Sequence, residues 1–480
     1  MVNRTFLEKA EALRPTILHE RHDLQGSDKV LGNGDEVIFD FSQHYVGYLS
    51  IDFESVGHHQ DAPFHFQVQF AEMEKEFREK AEEYKGWISP SWIQEEKVHM
   101  DVLPETCHFQ RRYAFRFVKV KVLAVSSNYK VRVRSLSLDA VSSASPSLLL
   151  PFHGRKEDEK LDAISIRTLH ECMQEVFEDG PKRDRRLWLG DLRLQALANY
   201  ETYRNNNLVK RCLYLFAGST LEDGRVASNI FIHPTVECDY QASFDYSLLF
   251  INTLLDYYNA TGDMETLIEL EPTARRQYEI LRDSAFLENN LVDTSRLGLC
   301  VIDWNLTLDK EASAQGVYLY AGKALVEIEE LTGKETLSIR EDLEKKAEAA
   351  RTLYSKEKGL FLSGKERQIS YASQVWLALG GVADASALIA VEKCNDAVAM
   401  VSPYMFHHYI DACIRTGRKE KAYSAMTGYW GGMIKEGADT FFELFNPDNP
   451  DESPYGGTIV NSYCHAWSCT PTYFLRRFFS

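Results

Sequence analysis

The sequence predicts a two-domain protein, an N-terminal antiparallel β-sandwich in residues 1–150 followed by an (α/α)6 toroid in residues 151–480. Three observations lead to this prediction. The chain of 480 residues is longer than one ordinary compact domain. Apolar residues recur with a period of two in the first part and with a helical period in the second. Residues 142–146, which are small and include a proline, mark the boundary between the two domains.

Alternating apolar residues indicate β-strands in the first domain. Residues 64–70, 115–122 and 131–138 each alternate apolar and polar side chains. Each segment therefore has one face for a core and one for solvent. This pattern is typical of an antiparallel sandwich.

Helical stripes and repeated helix ends indicate the fold of the second domain. One apolar stripe runs through residues 248–258 and another through residues 317–331. Gly262, Gly333 and Gly417 each follow a threonine where a helix is expected to end, and glycine there can adopt the left-handed conformation. Ordinary helix and loop lengths divide roughly 320 residues into about twelve helices. Twelve is the number of helices in an (α/α)6 toroid.

The charge and the apolar pattern exclude several functions. With 54 basic and 71 acidic residues the formal net charge is −17, which repels nucleic acids. The longest weakly charged stretch, Ile369–Val391, is interrupted by Gly380-Gly381, and we expect two short helices there and no membrane span. The charged N-terminal residues do not fit a secretory signal. We therefore expect a cytoplasmic protein.

The cysteine pattern and the common cofactor motifs give no sign of a metal or cofactor. The nine cysteines include no CxxC pair, so neither a disulfide framework nor a thiolate metal site is expected. His233 and Cys238 have spacing similar to that of metal ligands, but no second pair lies nearby. GxGxxG, GxxxxGK[ST] and GxSxG motifs are absent from the sequence. We expect no metal and no cofactor.

The densest group of candidate site residues lies between Asp179 and Asp191. If the segment after Pro181 is helical, Asp184, Trp188 and Asp191 share one helix face. Two carboxylates beside an indole are typical of a sugar site, since the indole stacks on the sugar ring and the acids bind hydroxyls. The alternative is a solvated helix start whose acids pair with the neighbouring arginines.

Two further groups place acids beside aromatic residues. Glu443 lies between phenylalanines, and His465 precedes Trp467 by two positions. An uncharged His465 could bind a substrate hydroxyl, although a lone histidine is more often part of a core. Asp303 precedes Trp304, and Asp245 precedes a helical stripe. Acids beside aromatics without a basic motif favour a neutral polyhydroxylated substrate.

Four motifs resemble those of the bacterial α-L-rhamnosidases of glycoside hydrolase family 78. The acidic block of the family is matched by Asp179, Pro181, Arg183, Asp184, Trp188 and Gly190-Asp191. Its Trp-Gly-x-Met, Gly-Ala-x-Thr-x-x-Glu and His-Ala-Trp motifs are matched by residues 430–433, 437–443 and 465–467. The resemblance covers residues 160–472. The β domain shares with the accessory sandwich of the family only its type of fold, and no motif.

The sequence departs from the family at two points. Many members have a glutamate as the acid, one residue farther from the first aspartate than Asp184 is from Asp179. The spacings from Asp184 forward to Trp188 and Asp191 equal those of the family, so we infer a one-residue shortening with Asp in place of Glu. The family also has a C-terminal β domain, which we do not expect here because the sequence given ends at Ser480. This puts binding of long polymers in doubt.

The resemblance implies inverting hydrolysis of terminal α-L-rhamnosides. Asp184 would be the general acid and Glu443 the general base, and an inverting pair requires carboxyl groups about 6.5–9.5 Å apart. Trp188 and Trp304 would form the walls of the site. The remaining substrate-binding residues implied are Asp179, Arg183, Asp191, Asp245, Asp303, Trp430 and His465.

Other readings remain open from the sequence. The chain could be an inactive sugar-binding relative, or another toroid enzyme, such as a lyase or a hydrolase, acting on a different deoxysugar or a uronic acid. The expected ligand is a small rhamnoside or a short rhamno-oligosaccharide. The aglycone is set by loops and is not predicted. The 7 tryptophans and 24 tyrosines leave enough aromatic surface for either a homodimer or a wide cleft.

Overall fold

A computed structural model describes residues 2–480. It confirms an antiparallel sheet domain followed by a helical domain. A short helix, α1 (Arg4–Ala12), precedes the sheet. The last strand of the sheet ends at Ser142, and the first helix of the second domain begins at Glu159.

The first domain is one seven-stranded antiparallel sheet in the order β1-β7-β2-β6-β3-β4, with β5 paired to β2. Its strands are β1 (Leu18–Gln25), β2 (Glu36–Gly57), β3 (Phe64–Ala71), β4 (Glu95–Met100), β5 (Glu105–His108), β6 (Tyr113–Ala124) and β7 (Tyr129–Ser142). The three segments with alternating residues lie in β3, β6 and β7. Their alternate side chains, among them Phe66, Val120 and Val133, are buried in one core. The period of two therefore predicted these strands correctly.

Strand β2 holds the sheet together because its two halves have different partners. Its first half pairs with β6 and its second half with β7 and β5. The register shifts between Asp40 and Tyr45, where the strand has an irregularity. Such an irregularity increases the local twist of a strand.

The loop between β3 and β4 leaves the sheet and contacts the helical domain. Tyr84 donates a hydrogen bond to the carbonyl oxygen of Tyr455 at 2.7 Å. The indole of Trp87 donates to the carbonyl of Pro454 at 2.9 Å. Glu79 accepts from the backbone N–H of Thr458 at 2.7 Å. These bonds fix the loop of the β domain against the end of the helical domain that carries the candidate site.

Twelve α-helices form the second domain, as its length and helix ends predicted, counted over the described part of the chain. They are α2 (Glu159–Cys172), α3 (Leu189–Glu201), α4 (Asn206–Gly218), α5 (Phe244–Thr261), α6 (Met264–Ser284), α7 (Glu311–Leu331), α8 (Leu337–Arg351), α9 (Tyr371–Leu379), α10 (Ala385–Glu392), α11 (Pro403–Arg415), α12 (Lys419–Lys435) and α13 (Pro471–Phe478). Helices α3, α5, α7, α9 and α11 contact one another in succession, and α13 contacts α3. His407 on α11 contacts the rings of Tyr473 and Phe474 on α13, which closes the ring.

Two small sheets lie in the loops between helices. They are formed by β8 (Leu187–Trp188), β9 (Asn229–Phe231) and β10 (Glu237–Cys238), and by β11 (Tyr354–Ser355) and β12 (Leu360–Phe361). Strand β8 comes directly before α3 and pairs with β9. This pairing fixes the chain at the entry to the first helix of the inner ring.

Close backbone contacts and glycine helix ends explain how the ring packs. A Cβ atom on Gly316 in α7 would lie 2.4 Å from the carbonyl carbon of Trp376 in α9, so these inner helices touch through their backbones. Gly262, Gly333 and Gly417 have φ values of 71°, 72° and 80°. The predicted left-handed helix ends are therefore confirmed.

The weakly charged stretch folds as the two helices α9 and α10, with Gly380-Gly381 between them, as predicted. Among residues 2–480 no helix is both long and apolar enough to cross a membrane.

Candidate active site

A cavity of about 420 Å³ lies at the end of the ring where the inner helices begin. Its walls come from the segment before α3, the first turns of α3 and α5, and the segments before α7 and α13. Residues 87–92 of the β domain complete it. The candidate residues that line it are Asp179, Arg183, Asp184, Trp188, Asp191, Trp304, Glu443 and His465. The structure thus brings together the acids of two motifs that are far apart in the sequence.

The segment that carries Asp184 is a turn followed by a short strand, so the predicted helix after Pro181 is wrong. Asp184 and Arg185 have φ values of 62° and 52°, in the left-handed region. Aspartate adopts this region more readily than most residues. Asp179 closes the turn, because its N–H donates to the carbonyl of Arg186 and its Oδ1 accepts from the N–H of Arg186, each at 3.0 Å. A closed loop, and not a helix face, aims Asp184 at the cavity.

Asp179 is buried near Asp184 of the same loop and Asp191 in the first turn of α3. Burial raises the pKa of the Asp179 carboxyl well above its ordinary value, and the charges of Asp184 and Asp191 raise it further. The Asp179 carboxyl therefore holds a proton more readily than an isolated aspartate would.

Glu443 is held by donors on both oxygens of its carboxylate. The guanidinium of Arg183 donates to Oε2 and the hydroxyl of Tyr455 donates to Oε1. The Nε of Arg183 also donates to the carbonyl of Val460 at 2.9 Å. Burial lowers the pKa of Arg183, but Glu443, Tyr455 and Asp184 together raise it by more and hold it above its ordinary value. The two donors therefore fix the orientation of the Glu443 carboxylate at the cavity.

The arginines next to Asp184 do not form ion pairs with the acids of the loop. Arg183 pairs with Glu443. Arg185 donates to the carbonyl of Arg112 at 2.7 Å, and the guanidinium of Arg186 lies over the ring of Phe231. The alternative that the cluster is a solvated helix start with paired charges is therefore wrong.

Polar atoms on the walls are positioned to meet hydroxyl groups. The Nε2 of His465 lies 3.1 Å from Oδ1 of Asp191. The indole Nε1 atoms of Trp188 and Trp304 and the Nδ1 of His465 are buried without a hydrogen-bond partner in the described chain. Buried polar atoms in proteins are nearly always hydrogen-bonded. These three atoms are thus suited to a polar ligand.

Three of the residues assigned to substrate binding lie outside the cavity lining. The carboxylate of Asp245 accepts from the N–H groups of Val301 at 3.1 Å and Ile302 at 2.8 Å. Asp303 accepts from Val401 and Ser402, at the start of α11.

Trp430 is the third of these residues. Its side chain is fully buried and donates from Nε1 to the carbonyl of Ser468 at 2.8 Å. We correct the assignment of all three, because their polar groups are already bonded within the protein and hold the walls in place.

Sequence reasoning missed several residues of the cavity. Tyr455 and Arg186 lie in its walls, together with Trp87 and Trp92 from the β domain. Trp87 and Trp92 lie within six positions of each other in a segment that has no strand pattern. Two tryptophans so close together in a loop are a sequence signal for ligand binding. Tyr455 carries no such signal.

Among residues 2–480 no group of three or more histidines, cysteines or acids is arranged to hold a metal ion. His233 instead lies 3.6 Å from a carboxylate oxygen of Glu175.

Comparison with known proteins agrees with the motifs. Residues 8–140 match the glycosyl hydrolase family 78 alpha-rhamnosidase N-terminal domain. Residues 155–478 match the bacterial alpha-L-rhamnosidase 6 hairpin glycosidase domain. The chain has no match among the curated proteins.

Several solved structures are similar to the chain. A rhamnosidase from Klebsiella oxytoca with rhamnose bound is 42% identical, with a TM-score of 0.95 over 100% of this chain and 99% of that one. The family 78 rhamnosidase of Bacillus sp. GL1 is 19% identical with a TM-score of 0.78, over 93% of this chain and 47% of that one. The α-L-rhamnosidase of Streptomyces avermitilis complexed with L-rhamnose is 16% identical with a TM-score of 0.69, over 96% of this chain and 44% of that one.

The last two proteins share the fold, and this chain spans about half of their length. The family matches, which together cover both domains, and the full-length similarity show that the chain belongs to the bacterial α-L-rhamnosidases of glycoside hydrolase family 78.

Proposed function

We propose that the protein hydrolyses rhamnosides and releases terminal, non-reducing α-L-rhamnose with inversion at the anomeric carbon. The observation that carries this proposal is that Asp184 and Glu443 line one cavity, with tryptophan side chains beside them. Membership of the family supports the substrate, and so does the 42% identical Klebsiella oxytoca rhamnosidase with rhamnose bound. The cavity of about 420 Å³ suits a small rhamnoside or a short rhamno-oligosaccharide.

In the proposed reaction the two acids have opposite roles. Asp184 gives its proton to the glycosidic oxygen while the bond between that oxygen and the anomeric carbon breaks. Glu443 takes a proton from a water molecule that attacks the other face of the same carbon. Rhamnose and the free alcohol leave, and the two acids exchange protons with solvent to return to their starting states.

The surroundings of each carboxyl group support this division of roles. Glu443 has an arginine and a tyrosine as hydrogen-bond donors, which fix the orientation of its carboxylate, as a base that positions a water molecule requires. Asp184 is half-buried and accepts no hydrogen bond within the described chain, so its carboxyl group is free to reach the glycosidic oxygen.

The rest of the cavity provides binding groups for the sugar. Asp179, Arg183, Asp191 and His465 lie where they can hold rhamnose hydroxyls. Trp188 and Trp304 offer ring faces for the apolar side of the sugar and indole N–H groups for its oxygens.

Release of rhamnose from 4-nitrophenyl α-L-rhamnoside tests the proposal. We expect the wild-type protein to hydrolyse this rhamnoside. We expect it not to hydrolyse the corresponding 4-nitrophenyl α-L-fucoside or β-D-glucuronide. No hydrolysis, with rhamnose binding retained in calorimetry, would instead identify a sugar-binding relative. Faster hydrolysis of one of the other glycosides would identify a different toroid enzyme.

A further inference from the structure

A second cavity adjoins the candidate active site on the side of Asp184. It has a volume of about 630 Å³ and lies between the β domain and the helical domain. Asp184 and Arg186 line both cavities, whereas Glu443 lines only the first. The second cavity is therefore reached past the acid and not past the base.

The position of this cavity assigns it to the leaving group, an inference that rests on the proposed function. In an inverting hydrolase the acid protonates the oxygen of the leaving group, while the base works on the opposite face of the sugar. The leaving group must then lie on the side of Asp184. The cavity that shares Asp184 but not Glu443 meets this condition.

The charges in the second cavity do not cancel. Arg112 pairs with Glu178 at 2.7 Å, and Glu175 pairs with Arg14 at 2.6 Å. These pairs neutralise the two glutamates of the lining. Arg185 and Arg186 remain beside Asp184, the third acid of the lining, and neither arginine forms an ion pair with a carboxylate in the described chain.

Arg185 is the more unusual of the two unpaired arginines. Its Nη2 donates to the carbonyl of Arg112 at 2.7 Å, and its Nε is buried without a partner. Burial, followed by the charge of Arg112, lowers the pKa of Arg185 to about 10. Arg185 is half-buried, and a partly desolvated guanidinium that forms no ion pair is a strong partner for an incoming carboxylate.

Aromatic residues give the same cavity a surface for a ring. Arg186 lies over Phe231, with its guanidinium carbon 4.4 Å from the centre of the phenyl ring. Tyr48 of β2 is 38% exposed and contributes to the opposite wall from the β domain. Aromatic faces beside cations suit a sugar that carries a negative charge.

We propose that the second cavity binds a leaving group that carries a carboxylate, as a uronic acid residue does, with Arg185 and Arg186 as its cationic partners. The two arginines then determine specificity for the leaving group, while Asp184 and Glu443 perform the same chemistry on any rhamnoside.

The first experiment compares two substrates that differ only in charge. One is α-L-rhamnosyl-(1→4)-D-glucuronate and the other is its C6 carboxamide. We expect the kcat/KM of the wild-type protein to be about tenfold higher for the acid, the size of one charge-assisted contact. The preference should shrink in 0.5 M NaCl, about where screening becomes effective within a few ångströms. Equal kcat/KM values for acid and amide in low salt would overturn the proposal.

The second experiment removes the positive charges one at a time. We expect R185Q and R186Q each to bring the acid-to-amide ratio of kcat/KM close to one. R282Q is the matched control, because Arg282 pairs with Asp283 on an outer helix and lies outside both cavities. It should keep the wild-type ratio. A ratio that is unchanged in both R185Q and R186Q would refute the assignment of these residues.

The neutral aryl rhamnoside separates this proposal from the proposed function. Hydrolysis of 4-nitrophenyl α-L-rhamnoside without any preference for the acidic disaccharide would overturn the inference on the leaving group alone. Failure to hydrolyse any rhamnoside would overturn both.

Discussion

Asp184 and Glu443 face one cavity but are supported in opposite ways. Glu443 is 5% exposed, and both of its oxygens accept hydrogen bonds from the protein. Asp184 is half-buried, accepts no hydrogen bond within the described chain, and lies in a left-handed turn between two cavities. In the proposed reaction, the neighbouring groups distinguish the roles of these two carboxyl groups.

The largest expected effect comes from neutralising each of these acids. D184N and E443Q should each lower kcat for an alkyl α-L-rhamnoside by about a thousandfold, the usual contribution of a general acid or base. Steady-state kinetics measures this loss. D283N, which changes an exposed acid on an outer helix, is the control and should leave kcat unchanged.

The same two variants distinguish the roles of the acids. The 4-nitrophenolate ion leaves without a proton, so D184N should lose far less activity on the nitrophenyl rhamnoside than on the alkyl one. E443Q should lose kcat by the same factor on both substrates, because Glu443 acts on the attacking water and not on the leaving group. The reverse pattern would show that the roles have been assigned the wrong way round.

A smaller effect, on stability, is expected for the acids that lie outside the cavity lining. D245N places an amide where the carboxylate accepts N–H groups of Val301 and Ile302. It should lower the free energy of unfolding by about 2 kcal/mol in urea denaturation, since buried donors lose their acceptor. D184N, by contrast, should stay within about 0.5 kcal/mol of the wild type. If D245N abolished activity at full stability, Asp245 would contact the substrate after all.

Tyr455 offers a finer test of the support around Glu443. Y455F removes one donor from the carboxylate and keeps the ring that lies under Arg183. We expect kcat to fall about tenfold with little change in KM, because the base loses its orientation while the sugar contacts remain. A loss confined to KM would mean that Tyr455 binds substrate.

The smallest expected effect concerns the pH dependence of stability. Because burial raises the pKa of Asp179, the folded protein keeps a proton that the unfolded chain loses above the ordinary value of 3.8. The stability present below pH 3.8 is therefore lost as the pH rises towards the raised pKa. D179N, which is always neutral, should unfold at a higher temperature than the wild type at pH 7.

The control for this prediction is the same comparison of D179N and the wild type at lower pH. The difference in unfolding temperature between D179N and the wild type should shrink as the pH approaches 4. A difference that stays constant from pH 4 to pH 7 would contradict the raised pKa.

Much of the fold could be predicted because its signals are local. Periods of two and of 3.6 residues follow from strand and helix geometry, and Gly262 ends α5 through its own φ angle. The course of β2 was not predicted. It exchanges one partner strand for others along its length, and such pairings depend on contacts between distant segments.

The site was predicted only as far as motifs reach. The spacing of Asp184, Trp188 and Asp191 fitted a helix equally well, because nothing local reveals that Asp179 closes a loop there. Asp245 resembled a site residue because a sequence does not distinguish an acid that accepts backbone N–H groups from one that faces a cavity. Trp87 belongs to the other domain and reaches the site through contacts between the domains. The periodicity of the sequence does not predict such contacts.

The anomer first released from an α-L-rhamnoside tests the central claim most directly, namely that Asp184 and Glu443 act on one sugar from opposite sides. Proton NMR during the first minutes of hydrolysis in D₂O separates the two anomers of rhamnose. The account predicts that β-L-rhamnose appears first and then mutarotates. Initial appearance of α-L-rhamnose would contradict it.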